Sequence, residues 1–400
     1  MSWEPAKLSE ICREDAPITY GILQPGPEFE GGVPYVRPSE IKGGEIDLGS
    51  VRRTSPQIAH RYRKSVIREG DILITIVGTI GNIAVVPAEL DGGNITQSSA
   101  RVRVSPSRAE PSYVKSFLRS AYATRQYDQC RLGVAVPRLN LHHVRDLQIP
   151  LPPLAEQKRI AGILDAADAL RAKRRESLAQ LDLLLQSTFL DMFGDPVTNP
   201  MGWEDSAVIG QVADIASGLT KGRKLNGRTT REVPYLAVVN VQDRRLVLTP
   251  LKRIQATEGE IQRYRLQSGD LLLTEGGDPD KLGRGTLWQG QIDECIHQNH
   301  VFRVRLHDDR LQPMFLNWLV GSERGKRYFF RQAKQTTGIA TINLSQLRRM
   351  PLLLPPLSLQ RRFAAIVESV ERQKARQRAH LAELDTLFAS LQQRAFAGEL

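Results

Sequence analysis

The chain has 400 residues, with 55 lysines and arginines against 44 aspartates and glutamates, for a formal net charge of +11. That length predicts two or three domains with cores of their own, and the apolar and charged fractions exclude a disordered or fibrous chain. No run is long and apolar enough to span a bilayer, and the first residues, MSWEPAKLSEI, lack a basic-then-apolar signal pattern, so a soluble, cytoplasmic chain is expected.

Cys12, Cys130 and Cys295 are isolated, in no metal-like or redox-like spacing, and are expected as free thiols. The excess of positive charge points to a polyanionic partner, most often nucleic acid. In chain order, Asp71–Val77 follows a glycine turn and reads as a buried strand. The Arg/Val alternation over Ala100–Val104 reads as a strand with one wet face, and Ser112–Tyr127 as a helix.

Next comes Leu154–Phe193, bracketed by Pro152-Pro153 and Gly194-Asp195-Pro196, a long amphipathic helix with a left-handed cap at its end. Ile160, Leu164, Ala167, Arg171, Arg174, Leu178, Leu181, Leu185, Thr188 and Met192 recur at alternating steps of four and three. That is the seam of a coiled coil, apolar at both ends and basic in the middle. Asp270–Glu275, Phe302–Leu306 and Pro313–Phe330 then repeat the strand, strand and helix of the first half. A second long helix, Leu357–Ala397, follows Pro355-Pro356 with Ser358 as its N-cap. Its seam is Phe363, Val367, Val370, Lys374, Gln377, Leu381, Leu384, Phe388, Leu391 and Ala395, each 203 positions after its counterpart in the first. The matched register predicts two copies that pack on each other, with Leu181 and Leu384 together and largely buried.

The whole chain is written twice. Trp3-Glu4 recurs as Trp203-Glu204, Val33-Pro34-Tyr35 as Val233-Pro234-Tyr235, and Gly70–Leu73 as Gly269–Leu272. Gln97, Asn140 and Leu151–Leu154 recur as Gln298, Asn343 and Leu354–Leu357. An ordered series at a near-constant offset is a duplication, and a unit this long is no solenoid repeat. Each unit is an α+β module followed by a long helix, which makes a pseudo-two-fold molecule. The loops diverge: Gly78–Glu89 faces a longer, more charged Gly276–Gly290, and Ile18–Gly32 faces Ala216–Glu232. Divergent loops on a common frame are where specificity is housed.

Motifs of catalysis are missing. There is no His-Glu-x-x-His, Cys-x-x-Cys, EF-hand loop or Walker string, and no metal site is expected. Nor is there an Asn/Asp-Pro-Pro-aromatic string of the amino-methyltransferase kind. The residue types are those of base and phosphate readers instead: Arg or Lys for guanine edges and phosphates, Asn or Gln for adenine, Ser or Thr for either. In the first module the candidates are Arg37, Ser39, Lys42, Thr79, Asn82, Gln97, Arg138 and Asn140. In the second they are Lys221, Arg223, Lys224, Asn240, Gln242, Lys281, Arg284, Gln298, Asn299 and Asn343. The basic helix centres around Arg171–Arg175 and Arg372–Arg378 read as solvated faces or as neighbours of phosphate.

These strings resemble the specificity subunits of type I restriction-modification systems. The resemblance rests on Trp3-Glu4, Val33–Tyr35, Gly70–Leu73, Gly78–Asn82, Ile149–Ala161 and Phe193–Pro196, and it covers the whole chain. The second copy departs from the pattern at Gly276–Gly285 and Leu359–Ala364. The resemblance implies target-recognition domains at 1–152 and 196–354, a central spacer helix at 153–195 and a C-terminal spacer helix at 355–400. It implies an antiparallel helix pair acting as a ruler between two readers of an asymmetric bipartite DNA site. It also implies docking of two methyltransferase subunits and, through them, translocating nuclease subunits. The chain would hold no cofactor, S-adenosylmethionine belonging to the methyltransferase partner. The alternatives are a specificity subunit of a modification-only or phage-defence methyltransferase, an architectural scaffold that binds no DNA, and an enzyme with an unfamiliar site.

Overall fold

The computed structural model describes residues 3–133, 137–225, 227–277, 282–336 and 339–400, the backbone alone at 334–336 and 339. The chain forms two compact units, Met1–Ser177 with Gln377–Leu400, and Leu178–Arg376. Both divisions fall inside the long helices, Leu154–Phe193 and Leu357–Ala397. Each unit therefore holds one α+β module and a stretch of either helix.

In the first unit a four-stranded antiparallel sheet runs in the order Thr19–Tyr20, Ser99–Val102, Ile72–Thr75, Ile83–Val85. A three-stranded sheet places Val33–Val36 between antiparallel Arg52–Thr54 and parallel Asn94–Ile95. The second unit repeats both. Its four strands are Ala213–Ser217, Val301–Leu306, Leu271–Thr274 and Gly285–Leu287, and its three are Lys252–Ala256, Arg231–Leu236 and Ile296–His297. Helices Pro111–Leu118, Ala121–Cys130 and Leu141–Arg145 correspond to Pro313–Val320, Glu323–Gln332 and Leu344–Arg348. The fold class read from the duplication, two like α+β modules with long helices, is the one observed.

Three local expectations are corrected. The helices read as continuous over Ser112–Tyr127 and Pro313–Phe330 are each two, broken at Arg119-Ser120 and Gly321-Ser322. Ser120 accepts a bond from the Ala123 amide, and a side chain that bonds the backbone locally competes with helix continuation. The arginine face of the Arg/Val strands is mostly covered: Arg101 is 2% exposed and Arg303 5%, while Arg103 and Arg305 are half-buried. The third correction concerns the seams. Near the end of the central helix Phe189 and Phe193 are buried, while Thr188 and Met192 are half-buried. Gln392 and Phe396 are likewise buried in the terminal helix. A straight helix turns against a strict seven-residue repeat by about 20° per heptad, so the buried stripe slides onto its neighbour.

Within each unit the helical stretches run antiparallel. In the first, Arg159 donates to the Leu400 carbonyl at 2.6 Å and Arg171 to Asp385 at 2.7 Å. In the second, Lys374 donates to Asp182 at 2.6 Å, and the Phe193 and Phe363 rings meet edge to face at 5.4 Å. Ile160, Leu164, Leu185, Phe363, Val367 and Val370 are buried. Leu178, Leu181, Leu381, Leu384, Phe388 and Leu391 are half-buried, so Leu181 and Leu384 are less covered than their seam position predicts.

The basic midpoints of the seams are ion pairs. Arg171 joins Asp168 and Asp385, while Lys374 joins Glu371 and Asp182. These two side chains are neither solvated nor free for phosphate, since leaving a part-buried charge unpaired costs more than pairing it gains.

Each module is pinned to the helix that follows it. Gln157 accepts from the Glu110 amide at 2.9 Å and donates to the Pro152 carbonyl at 2.8 Å. Gln360 accepts from the Gln312 amide at 2.9 Å and donates to the Arg310 and Pro355 carbonyls at 2.9 and 2.8 Å. Both glutamines are almost wholly buried.

An arginine and a glycine trade places between the modules. The hairpin Ile41–Ile46 turns through Gly44 at φ 93°, and a Cβ there would lie 2.6 Å from the Arg119 guanidinium. In the second unit the matching hairpin, Val241–Leu246, turns through Arg244, whose guanidinium lies 3.8 Å from the Trp318 ring centre and passes Gly321. Each module thus sets one guanidinium beside this turn, delivered from opposite partners.

Gln360→Ala leaves one buried and two part-buried backbone groups without this partner and is expected to destabilise the chain by about 1–3 kcal/mol in urea unfolding. Gln360→Glu, which keeps the acceptor but loses the donor, should fall between.

Candidate nucleic-acid interface

The rim of each module is built where its central strand ends. Beyond Ile72–Thr75 the chain turns through Gly78 and Gly81, both at positive φ. Thr75 holds the turn: its hydroxyl donates to the Thr79 carbonyl and accepts from the Asn82 amide at 2.9 Å. The Ile76 amide donates to the Ser98 carbonyl, and the Leu139 amide to the Ile76 carbonyl. Those bonds bring the loops carrying Thr79, Asn82, Gln97, Arg138 and Asn140 to one strand end. Asn82 also donates to the Ile41 carbonyl at 3.3 Å, tying the hairpin that carries Lys42 to the same rim. Thr79, Gln97, Arg138, Asn140 and Lys42 are exposed.

Leu271–Thr274 ends in the same way. The Glu275 amide donates to the His300 carbonyl and the Ile342 amide to the Glu275 carbonyl, gathering Gln298, Asn299 and Asn343. Arg284 takes the place of Asn82 and donates to Gln242, on the Val241–Leu246 hairpin, at 2.8 Å. Where the first rim has Ile76, the second has Glu275, bonded to His300. The two rims share a frame and differ in chemistry.

Several sequence candidates are committed to the fold instead. Arg37 forms a 2.6 Å ion pair with the buried Glu40, to which Ser39 donates at 2.7 Å. Arg223 is paired with Glu260 at 2.6 Å, which holds that carboxyl down to about 2. Asn240 is 2% exposed, accepts from the Ala237 amide and donates to the Val247 carbonyl. It occupies the place of Glu40. Asn343 caps the helix Leu344–Arg348 by accepting from the Gln346 amide at 2.9 Å. Lys221 and Lys224 are exposed on the loop that follows Leu219, whose carbonyl accepts from the Asn299 amide, and Lys281 lies outside the described residues.

Sequence reasoning passed over the side chains beside each rim. Arg61-Tyr62-Arg63 recurs as Arg263-Tyr264-Arg265, an identical tripeptide that self-comparison contained. Arginines of the neighbouring strand brace the chain just after it in the first module and the tripeptide itself in the second. Arg101 donates to the carbonyls of Lys64, Val66 and Pro17 at 2.8–3.1 Å, and Arg103 forms a two-point pair with Asp71 at 2.7 Å. In the second module Arg303 reaches the Arg263 carbonyl and Asp214, while Arg305 reaches the Arg265 carbonyl and Asp270. Burial pulls the pKa of Arg101 down, whereas the Asp270 carboxylate raises that of Arg305.

Among the described residues no cluster of histidine, cysteine or carboxylate side chains is placed to hold a metal ion, and no helix is long and apolar enough to cross a membrane. Cys12 and Cys295 are buried, and desolvation raises both thiols to about 12. His297 is fully buried, bonded through Nδ1 to the Val301 carbonyl at 2.7 Å, and burial lowers its pKa to about 4.

The family model for the type I restriction modification DNA specificity domain matches residues 2–181. The chain is 30% identical over 223 residues to the EcoBI type I restriction enzyme specificity subunit of Escherichia coli, a match covering 55% of this chain and 47% of that protein. The chain thus spans about half the length of that relative. To the StySPI specificity subunit of Salmonella potsdam it is 24% identical over 422 residues, covering 100% of this chain and 89% of that one. A solved chain from work on complex assembly and conformational transition of the type I R-M system shares the fold, with a TM-score of 0.57 and 22% identity over 100% of this chain and 98% of its own.

His297 sits where the first module has Ile95. Its unfolded-state pKa near 6.5 exceeds the folded value, so acid favours the unfolded chain: stability is lost as pH falls from about 6.5 towards 4 and is unaffected above. The penalty reaches roughly 3 kcal/mol. His297→Ile, the residue of the first module, should flatten that part of the melting temperature against pH between 7.5 and 4.5.

Proposed function

Because the chain belongs to the type I restriction-modification specificity-subunit family, we propose that it is the non-catalytic subunit that reads DNA for such a complex, one half-site per module. The observation that supports this reading best is the pair of rims at the ends of Ile72–Thr75 and Leu271–Thr274. They are built on one frame and present different side chains: Thr79, Asn82, Gln97 and Arg138 against Arg284, Gln298 and Asn299. Two unlike readers in one chain call for an asymmetric target, two unlike half-sites separated by base pairs that no side chain reads.

On this reading the reactive chemistry belongs to partners. Two methyltransferase subunits carry S-adenosylmethionine and dock on the chain, and nuclease subunits join through them. The chain contributes the choice of site. A wrong base within a half-site costs about 1–3 kcal/mol, and a change in the spacer costs little unless bending is required. The long helices set the length of that spacer.

Mapping methylated adenines by single-molecule sequencing, in cells that carry this chain with a methyltransferase partner, tests the proposal. A split, non-palindromic motif with a fixed gap is expected. Methylation at continuous or palindromic motifs, or none, would overturn it. One heptad inserted in each long helix, after Ser177 and after Arg376, adds about 10 Å and should lengthen the preferred gap by about three base pairs. An unchanged gap would remove the role given to the helices.

A further inference from the structure

Beside the first rim lies an open cleft of about 400 Å³ lined by Thr19, Tyr20, Arg61–Ser65, Leu141 and Arg145. No carboxylate lines it. Arg61, Arg63 and Lys64 are exposed and have no ion-pair partner among the described residues, and Tyr20 is 44% exposed. Leu141 directly follows Asn140, and the Gly21 amide beyond Tyr20 donates to the Thr96 carbonyl next to Gln97. The cleft therefore continues the face on which the rim side chains stand.

Its frame is made twice. Arg145 donates to the Ile18 carbonyl at 2.8 Å, and Arg348 to the Ile215 carbonyl at 3.5 Å. Arg61-Tyr62-Arg63 and Arg263-Tyr264-Arg265 follow or close matching helices, Pro56–Arg61 and Glu258–Tyr264. The strand arginines described above bond the chain just after the first, at Lys64 and Val66, and the second itself, at Arg263 and Arg265. The rims beside them differ.

A feature common to two modules that read different bases must address what all DNA has in common. We propose that this cleft and the Arg-Tyr-Arg turn of the second module are clamps for the phosphodiester backbone of duplex DNA, one per half-site, and that they supply affinity without sequence preference. This rests on the DNA-reading function proposed above and adds to it which surface carries the backbone. Exposed arginines and a tyrosine hydroxyl are suited to phosphate oxygens. Anchoring the loop through carbonyls inside the module leaves the outward guanidiniums free while fixing where they start.

The test uses the full chain assembled with its methyltransferase subunits and two duplexes, one with the mapped site and one without, titrated by fluorescence anisotropy at several salt concentrations. Arg61→Gln with Arg63→Gln should weaken binding to both duplexes at least about tenfold and lower the slope of log affinity against log salt by about two. The preference between the duplexes should stay as it is. Lys64→Glu, a single exposed change, should act in the same direction, as should Arg263→Gln with Arg265→Gln in the second module. Unchanged affinity and slope would overturn the proposal. So would loss of the preference with the slope intact, which would make the cleft a base reader. Loss of the methyltransferase subunits from the assembly with DNA affinity retained would reassign it to an acidic protein surface. A wild-type assembly that binds neither duplex removes the DNA-reading proposal itself, and this one with it.

Discussion

Two arginines on one strand, one buried and one half-buried in each module, govern how the exposed face is formed. Desolvating a guanidinium is costly, and the cost is met only when its donors find acceptors. Arg101 and Arg103 find theirs in the carbonyls of Pro17, Lys64 and Val66 and in Asp71; Arg303 and Arg305 find theirs in Asp214, Asp270 and the carbonyls of Arg263 and Arg265. The loop has little freedom to move without stranding a charge. The polarity that makes the strand look amphipathic in sequence is therefore spent inward, on holding the loop that presents Arg61 and Arg63 outward.

A second set of polar groups settles how module and helix meet. Gln157 and Gln360 bond backbone groups of the module and of the double proline ahead of the helix, so the exit angle is fixed by hydrogen bonds as well as by apolar packing. Arg171 with Asp385 and Lys374 with Asp182 lie in the polar middle of the seams. Charged pairs at such positions add little stability and favour one register over slipped alternatives. For a chain whose helices are proposed to measure a gap in DNA, register matters more than strength.

The frame was legible because duplication doubles every signal. Strand positions and both long helices follow from strings that recur at a near-constant offset, and a repeat unit this long leaves few architectures. Side-chain destinations were harder to read. Arg37, Asn240 and Asn343 have the chemistry of base readers and are spent on Glu40, on two backbone groups and on a helix cap. Nothing in composition separates an asparagine that caps from one that contacts a base, because both uses draw on the same donor and acceptor. The wet face assigned to Ala100–Val104 failed for a related reason: alternation reports polarity, and polarity is not exposure when acceptors wait inside. Arg61-Tyr62-Arg63 could have been found, since identity between copies is most informative where the flanking loops have diverged.

The traded arginine and glycine carry a consequence for ancestry and for chimeras. In the first module Arg119 fills the space that Gly44 leaves, and in the second Arg244 fills the space beside Gly321. A duplicated gene begins with two identical halves, so at least one half has since passed its guanidinium from one side of this gap to the other. The intermediates carry either two cations in one crevice or none. Recombining a hairpin from one half with the helical corner of the other recreates those intermediates, with crowding and like-charge repulsion in one product and a void in its reciprocal. Moving a whole module keeps each guanidinium with the gap it fills, whereas moving a single loop separates them.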